Sequence, residues 1–418
     1  MHEIIVSVKL AFNNLRSNIA RTMLSLLGIV IGVASVILVL SFGAGVKNYV
    51  TSQVTMFGSD IIAIEVKVPK VSKTSSANAT GQAGGTTITT FKLEDAQKIA
   101  QMDNIGPWYA MVLSQQITSF EEKKKQAVIF GVTAGVVEAD QQVVIEEGQM
   151  FSEEDDKSLK QVAVLGSNIK EYYFGSSSAV GKSIKIKGKT FKVAGSLQSR
   201  GTMMGIMNFD DLIYVPLETA QKKLDGTDYI LEGIYKIKDM NKLDLTIAQA
   251  TDKMRELHDI TDPDDDDFAV SSIVEVLEIL DTVFFALNAL LLALTSISLI
   301  VGGVGIMNVM YVAVTERTFE IGLKKAVGAK NGSILGQFLF EAIFLTIFGG
   351  IIGLVAGFLV TQAGEAAALS FGYPIDLTIT WWSILIGAGF SAVVGIIFGY
   401  FPARNASRMT PVEALRKE

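Results

Sequence analysis

The 418-residue chain contains no cysteine, which excludes disulfides, thiolate nucleophiles and cysteine-ligated metals. Its two histidines, His2 and His258, are too few for a histidine-rich metal site, and any Ser-His-Asp triad would have to use one of them. Proline is scarce, 7 residues against 38 glycines, and charged residues make up only 19% of the chain. With 49% hydrophobic residues it is too apolar for a disordered protein and for an ordinary soluble enzyme. The scarcity of charge is uneven. Residues 44–281 hold 25 Lys and Arg against 35 Asp and Glu, a net of −10. The remainder holds 11 against 8, a net of +3, in short clusters between long uncharged runs. This is the pattern of a membrane protein with one large acidic soluble domain.

Four runs can cross a hydrocarbon core, which needs about 20 apolar residues: residues 22–43, 282–314, 334–360 and 381–401. None contains Lys or Arg, and only the third contains an acid, Glu341. The first is too long and starts too far into the chain for a cleavable signal peptide. Basic residues cluster at Lys9, Arg16 and Arg21, at Arg317, Lys324, Lys325 and Lys330, and at Arg404, Arg408, Arg416 and Lys417, whereas residues 361–380 have none. Four spans put all three clusters on one side, which the positive-inside rule makes the cytoplasm. Both termini and residues 315–333 are then cytoplasmic, and residues 44–281 and the short loop 361–380 lie outside. Residues 1–21, with Ile4, Ile5, Val8, Phe12, Leu15 and Ile19 at helical spacing, read as an amphipathic helix on the membrane surface or against a partner.

The large domain reads as mixed α+β. Strands are predicted at 61–68, 111–120, 125–132, 161–165, 183–186, 190–193, 212–216 and 231–238, and helices at 91–102 and 243–257. Residues 72–90, rich in Ser, Thr, Gly and Ala, read as a loop. Two lobes are expected, with boundaries near 137–147 and 217–228.

Several segments invite a chemical reading. Residues 175–183, GSSSAVGKS, imitate a phosphate-binding loop, but five residues rather than four separate Gly175 from Gly181, and a strand-like run follows where a helix is required. A surface turn is expected. The run Asp262–Asp267 lacks the central Gly and terminal Glu of a calcium loop and reads as a solvated acidic turn. Met203, Met204 and Met207 suit either an adaptable partner surface or plain packing. No catalytic role is expected for His258. Glu341 lies roughly 12 Å into its span at 1.5 Å per residue; an intramembrane acid is either a mechanistic residue or a hydrogen-bonding one, and both readings stand. Small faces for close helix approach, in a bundle or a dimer, come from Gly28 and Gly32, from Gly349, Gly353 and Gly357, and from Gly395 and Gly399. The cytoplasmic loop TERTFEIGLKKAVGAKNG, residues 315–332, mixes apolar Phe319, Ile321, Leu323, Ala326 and Val327 with Glu316, Arg317, Glu320, Lys324 and Lys325. A short helix of this kind docks into a partner's groove or holds the flanking spans in register.

Residues 301–342, VGGVGIMNVMYVAVTERTFEIGLKKAVGAKNGSILGQFLFEA, resemble the signature of the MacB family of ABC-transporter permeases, within the FtsX-like permease superfamily. So do residues 12–37, the outer segment VAVLGSNIKEYYFGSSSAVGKSIKIKGKTFKVAGSL, the DDDDFAV before the second span, and the tail FPARNASRMTPVEALRKE. The resemblance implies four membrane helices with an outer domain of two lobes, Porter and Sabre. It implies a homodimer in the cell membrane, working with two copies of a nucleotide-binding subunit. That subunit would bind ATP and Mg, and this chain no cofactor of its own. With no phosphate-binding loop here, the ATPase is expected on a separate chain. The coupling helix of the family maps to about residues 316–329, with Glu316, Arg317, Phe319, Glu320, Ile321, Gly322, Lys324, Lys325 and Gly328 as candidate contacts, and Glu341 matches a family acid. ATP-driven closure of the partner would be transmitted along stiff helices to the outer domain. The expected function is export of peptides, drugs or other amphiphiles, with a possible extracytoplasmic adaptor and no nucleic-acid partner. The alternative is a mechanical transducer that drives a signalling partner or a cell-wall hydrolase without transport.

Overall fold

The structure, a computed structural model, describes residues 19–56, 58–69, 88–203 and 207–416. The expected surface helix at 1–21 and the loop at 72–90 lie almost wholly outside the described residues. The chain divides into a helical unit, residues up to Tyr49 and from Leu280 onward, and an α/β unit, Val50–Ile279.

In the helical unit, four described helices are long and apolar enough to cross a membrane. They are span 1 (Ile19–Thr55), span 2 (Ile273–Glu316), span 3 (Asn331–Ser370) and span 4 (Trp381–Arg408). All four helices outrun the apolar segments that announced them. Span 1 continues through Lys47, Asn48 and Gln53, and span 2 starts at Ile273 with Glu275, Glu278 and Asp281 ahead of its apolar part. Span 3 runs on to Ser370, so the connection to span 4 is residues 371–380 and not 361–380. An apolar run measures only the part of a helix that meets lipid, whereas the helix stops where a cap stops it. The Ser272 hydroxyl accepts from Glu275 N at 3.1 Å and starts span 2. The Thr380 hydroxyl does the same for span 4, accepting from Ser383 N at 3.3 Å. The tail helix Pro411–Arg416 opens with Pro at its first position and a reciprocal cap between Thr410 and Glu413.

The α/β unit is built on strands β1 (Ile61–Val66), β2 (Ile105–Phe120), β3 (Lys123–Val132), β4 (Ile145–Gly148), β5 (Val162–Leu165), β6 (Ser183–Ile186), β7 (Lys189–Leu197), β8 (Thr202–Met203), β9 (Met207–Asn208), β10 (Leu212–Pro216), β11 (Glu232–Ile237) and β12 (Phe268–Ser272). Ten of them form one mixed sheet in the order β12-β1-β11-β2-β3-β10-β5-β7-β4, with β6 paired to β2 and β7. β8 and β9 pair separately, with Met203 opposite Met207, while Met204 lies outside the described residues. Only β3 with β10 and β5 with β7 run parallel. Alternation along each strand feeds two cores on opposite faces. Ile213 and Val215 enter one core and Leu212 and Tyr214 the other; Ala163 and Leu165 alternate likewise with Val162 and Val164. The first core is covered by helices Leu93–Ala100, Ser167–Phe174 and Leu243–Leu257, and the second by helix Val136–Ala139 with Phe151 and Phe209. The expected division near 137–147 and 217–228 does not interrupt this sheet.

Candidate partner-docking site

A short helix, Thr318–Ala326, joins span 2 to span 3. One residue, Arg317, separates it from span 2, with φ −103° and ψ 16°. The hydrogen-bond ladder nearly bridges this break, since Arg317 N donates to Ala313 O at 3.2 Å and Ile321 N to Arg317 O at 3.0 Å. The helix ends at Val327, and Gly328, at φ +98°, takes a left-handed turn that a side chain would strain.

Its two faces differ in character. Ile321 (3% exposed) packs in the core of the bundle, and Thr318 and Gly322 are buried beside it. Ile321 and Gly322 therefore seat the helix rather than present it to a partner. Lys324 Nζ donates to Gln337 Oε1 of span 3 at 3.0 Å. Lys325 donates to Asn331 Oδ1 and, at 2.6 Å, to the Ser407 carbonyl at the end of span 4. Arg317 Nη1 meets Glu341 Oε2 at 3.2 Å, with the side chains only 12% and 3% exposed. The opposite face carries Phe319, Leu323 and Val327, 63%, 54% and 84% exposed, one helical turn apart. Glu316, Glu320 and Gly328 are exposed alongside. Of the nine expected coupling residues, four are thus presented outward, two are buried and three basic ones brace the helix on spans 3 and 4. The exposed Leu323 and Val327 complete the stripe.

The seven span glycines expected to pack lie at helix contacts inside one chain. A Cβ on Gly28 would lie 2.7 Å from Gly302 Cα, and one on Gly32 would lie 2.7 Å from the Leu299 side chain, both on span 2. Gly349, Gly353 and Gly357 face Leu26, Val30 and Ala34 of span 1, and Gly395 and Gly399 face Thr346 and Ala342 of span 3. Gly302 and Gly303, the latter against Phe398, belong to the same packing and were not singled out in the sequence, since they are adjacent and show no four-residue repeat.

The α/β unit absorbs its polar candidates into local structure. Gly175 ends helix Ser167–Phe174, and Ser183 opens the β6–β7 hairpin, so the GSSSAVGKS segment is a turn. Asp266 takes both arms of Arg255 at 2.9 and 2.7 Å, and Asp267 accepts from His258 Nδ1 at 2.8 Å. The Asp267 hydrogen bond holds the His258 pKa above its usual value. Arg200 pairs with Asp140 at 2.8 Å and stacks over Phe209 at 4.0 Å, a buried cluster whose members lie too far apart in sequence to signal one another. Among the described residues, no group of three or more His, Asp or Glu is placed to hold a metal.

Comparison with known proteins adds three findings. A family described as MacB-like periplasmic core domain matches residues 22–253, and one described as FtsX-like permease C-terminal matches residues 292–411. The macrolide export ATP-binding/permease protein MacB of Wolinella succinogenes is 33% identical over 417 residues, covering 100% of this chain and 61% of that protein. Its namesake in Azoarcus sp. is 31% identical over 421 residues, covering 100% and 60%. The chain thus spans about 60% of the length of these relatives. The solved periplasmic region of MacB from Actinobacillus actinomycetemcomitans aligns with 54% of this chain and 94% of its own at 19% identity and a TM-score of 0.45.

Proposed function

The chain belongs to the MacB family of ABC-transporter permeases, and on that premise we propose that it is the transmembrane subunit of an ATP-driven export machine. In this reading ATP and Mg bind a separate nucleotide-binding subunit. Two copies of each chain assemble in the cell membrane, and an extracytoplasmic adaptor extends the path. The cargo is an amphiphile, such as a drug or peptide, in keeping with relatives named for macrolide export.

One observation carries the reading. Phe319, Leu323 and Val327 form an exposed apolar stripe on a helix braced from behind by Arg317, Lys324 and Lys325. Such a stripe at the basic, cytoplasmic end of a bundle needs a cover, and a helix in a partner's groove is the recurrent solution. Two features support the membrane placement. Trp381 and Trp382 stack at 3.9 Å, with exposed Phe371 and Tyr373 nearby, like the aromatic belt of an outer interface. Trp381 and Arg404 then lie about 35 Å apart along span 4, close to the ~30 Å of a hydrocarbon core. The glycine contacts favour mechanical transmission: where a Cβ on Gly353 would come within 2.9 Å of the Val30 carbonyl, no passage runs between spans 1 and 3.

The test is Phe319→Asp in the full chain, purified with its nucleotide-binding partner. Losing a buried aromatic anchor costs about 2 kcal/mol or more, about 30-fold in affinity. The expected result is loss of co-purification and of ATP hydrolysis by the complex, with Phe371→Asp at the other end of the bundle unaffected. Wild-type assembly of the Phe319 variant would refute the docking assignment.

A further inference from the structure

The end of span 2 is attached twice. Along the chain it leads into helix Thr318–Ala326 through the single non-helical residue Arg317. Through space, the side chain of that same residue is held at 3.2 Å by Glu341, ten residues into span 3. Gln337, one turn earlier on the same face of span 3, holds Lys324 of the short helix. The point where the short helix could fold against span 2 is therefore the point pinned to span 3.

A buried ion pair is a poor way to gain stability, because the desolvation of both charges offsets most of their attraction. Its best-attested use is to fix one register among alternatives that apolar contacts would tolerate. Spans 2 and 3 meet their neighbours mostly through glycines and aliphatic side chains, which let helices slide. Arg317 and Glu341 form a directional contact, with both side chains nearly inaccessible to water.

We propose that the Arg317–Glu341 pair is a fixed fulcrum: it locks spans 2 and 3 and helix Thr318–Ala326 into one rigid lever, so that a push on the helix moves both spans instead of bending the chain at residue 317. Arg317 and Glu341 are positioning residues and do not touch the partner. The inference rests on the docking role proposed above and assigns the transmission step within it.

The experiment uses the full chain with its nucleotide-binding partner in lipid nanodiscs. A fluorophore sits on a single cysteine replacing Glu122, in the turn between β2 and β3. Partner affinity, ATP hydrolysis and the nucleotide-dependent change of the outer fluorophore are measured together. Arg317→Gln and Glu341→Gln each strand a buried polar group and can disturb folding. The deciding variant is therefore Arg317→Met with Glu341→Leu, which removes both charges of the pair together and restores apolar packing between them. The expected outcome is a complex that binds its partner and hydrolyses ATP within threefold of wild type, while the outer signal per ATP falls at least fivefold. The exchanged pair, Arg317→Glu with Glu341→Arg, should recover at least half of that signal. An undiminished signal per ATP in the Met/Leu variant overturns the fulcrum. So does a parallel loss of partner affinity, hydrolysis and outer signal, which would make the pair part of the docking surface. A wild-type complex that hydrolyses ATP with no outer change refutes the transmission reading itself, a result separate from either of these.

Discussion

The same Gly→Ala change should have different consequences at two places in the spans. At Gly28 a new Cβ would lie 2.7 Å from Gly302 Cα, and a Cβ on Gly302 would lie 2.8 Å from the Gly28 carbonyl carbon. Carbon atoms in ordinary contact stand about 3.5–4.0 Å apart, so the two backbones would have to separate by about 1 Å. Overpacking of this kind costs about 1–3 kcal/mol, and here the obstacle is backbone, which cannot rotate away. At Gly389 of span 4 a Cβ would meet nothing within 4 Å. There the alanine brings only its helix propensity, a gain of about 0.8–1 kcal/mol over glycine. Gly28→Ala receives that same gain, so the difference between the two variants isolates the steric term. Unfolding of the purified chain in mixed micelles, titrated with a denaturing detergent, should put Gly389→Ala above wild type and Gly28→Ala below Gly389→Ala by about 1–3 kcal/mol. Gly353→Ala, whose Cβ would sit 2.9 Å from both the Val30 carbonyl and Val33, should behave like Gly28→Ala. Equal stabilities at Gly28 and Gly389, within about 0.5 kcal/mol, would refute the close approach of spans 1 and 2.

Two further predictions concern pH and the α/β unit. Burial pushes the Asp156 carboxyl up to about 6, against donation from the Glu218 amide at 2.7 Å. A carboxyl raised in the folded state stabilises while protonated, and that contribution is lost as pH rises through about 6; the change amounts to about 3 kcal/mol. The stability of Asp156→Asn relative to wild type should therefore climb by roughly that amount between pH 4 and pH 7 in hydrogen-exchange measurements, and a pH-independent difference would refute the burial argument. The hydrogen bond to Asp267 raises the pKa of His258, so the stability from that pair is fully present below the ordinary histidine value and disappears as pH rises through the raised one. His258→Gln should cost about 1.5–3 kcal/mol near pH 5.5 and markedly less at pH 9, read from exchange in helix Leu243–Leu257; an equal cost at both pH values would count against a charged pair.

The elements the sequence disclosed are those whose signal is local. The alternating run at 183–186, the apolar run at 212–216 and the amphipathic pattern at 243–257 coincide with β6, β10 and a helix. The elements it hid depend on distant partners. β4, IEEG, is half-exposed and exists because Gly148 and Glu147 meet Gly195 and Ser196 on β7; in sequence it reads as a lobe boundary. β12 follows directly on four aspartates, and its ladder to β1 joins residues some 200 positions apart. Periodicity reports which face a side chain takes but not which strand lies beside it, so the strand order of the sheet could not be read in advance.

The scarcity of charge in the helical unit makes the candidate site legible, and only in part. Outside residues 44–281 the chain has eight acids, so each must be accounted for. Glu341 and Arg317 each stand out in sequence, one as the acid inside a span and the other as a base in the cytoplasmic loop. Assigned separately, one becomes a possible intramembrane mechanism and the other a partner contact. Geometry merges them: the acid is within reach of the base at 3.2 Å, and the base occupies the break between span 2 and helix Thr318–Ala326. In the docking proposed above, contact with a partner passes from the charges to Phe319, Leu323 and Val327, which remain exposed when the basic residues are spent on bracing. In that docking, an apolar stripe with the exposed Glu320 beside it would meet a groove that is apolar at its centre and basic at its rim.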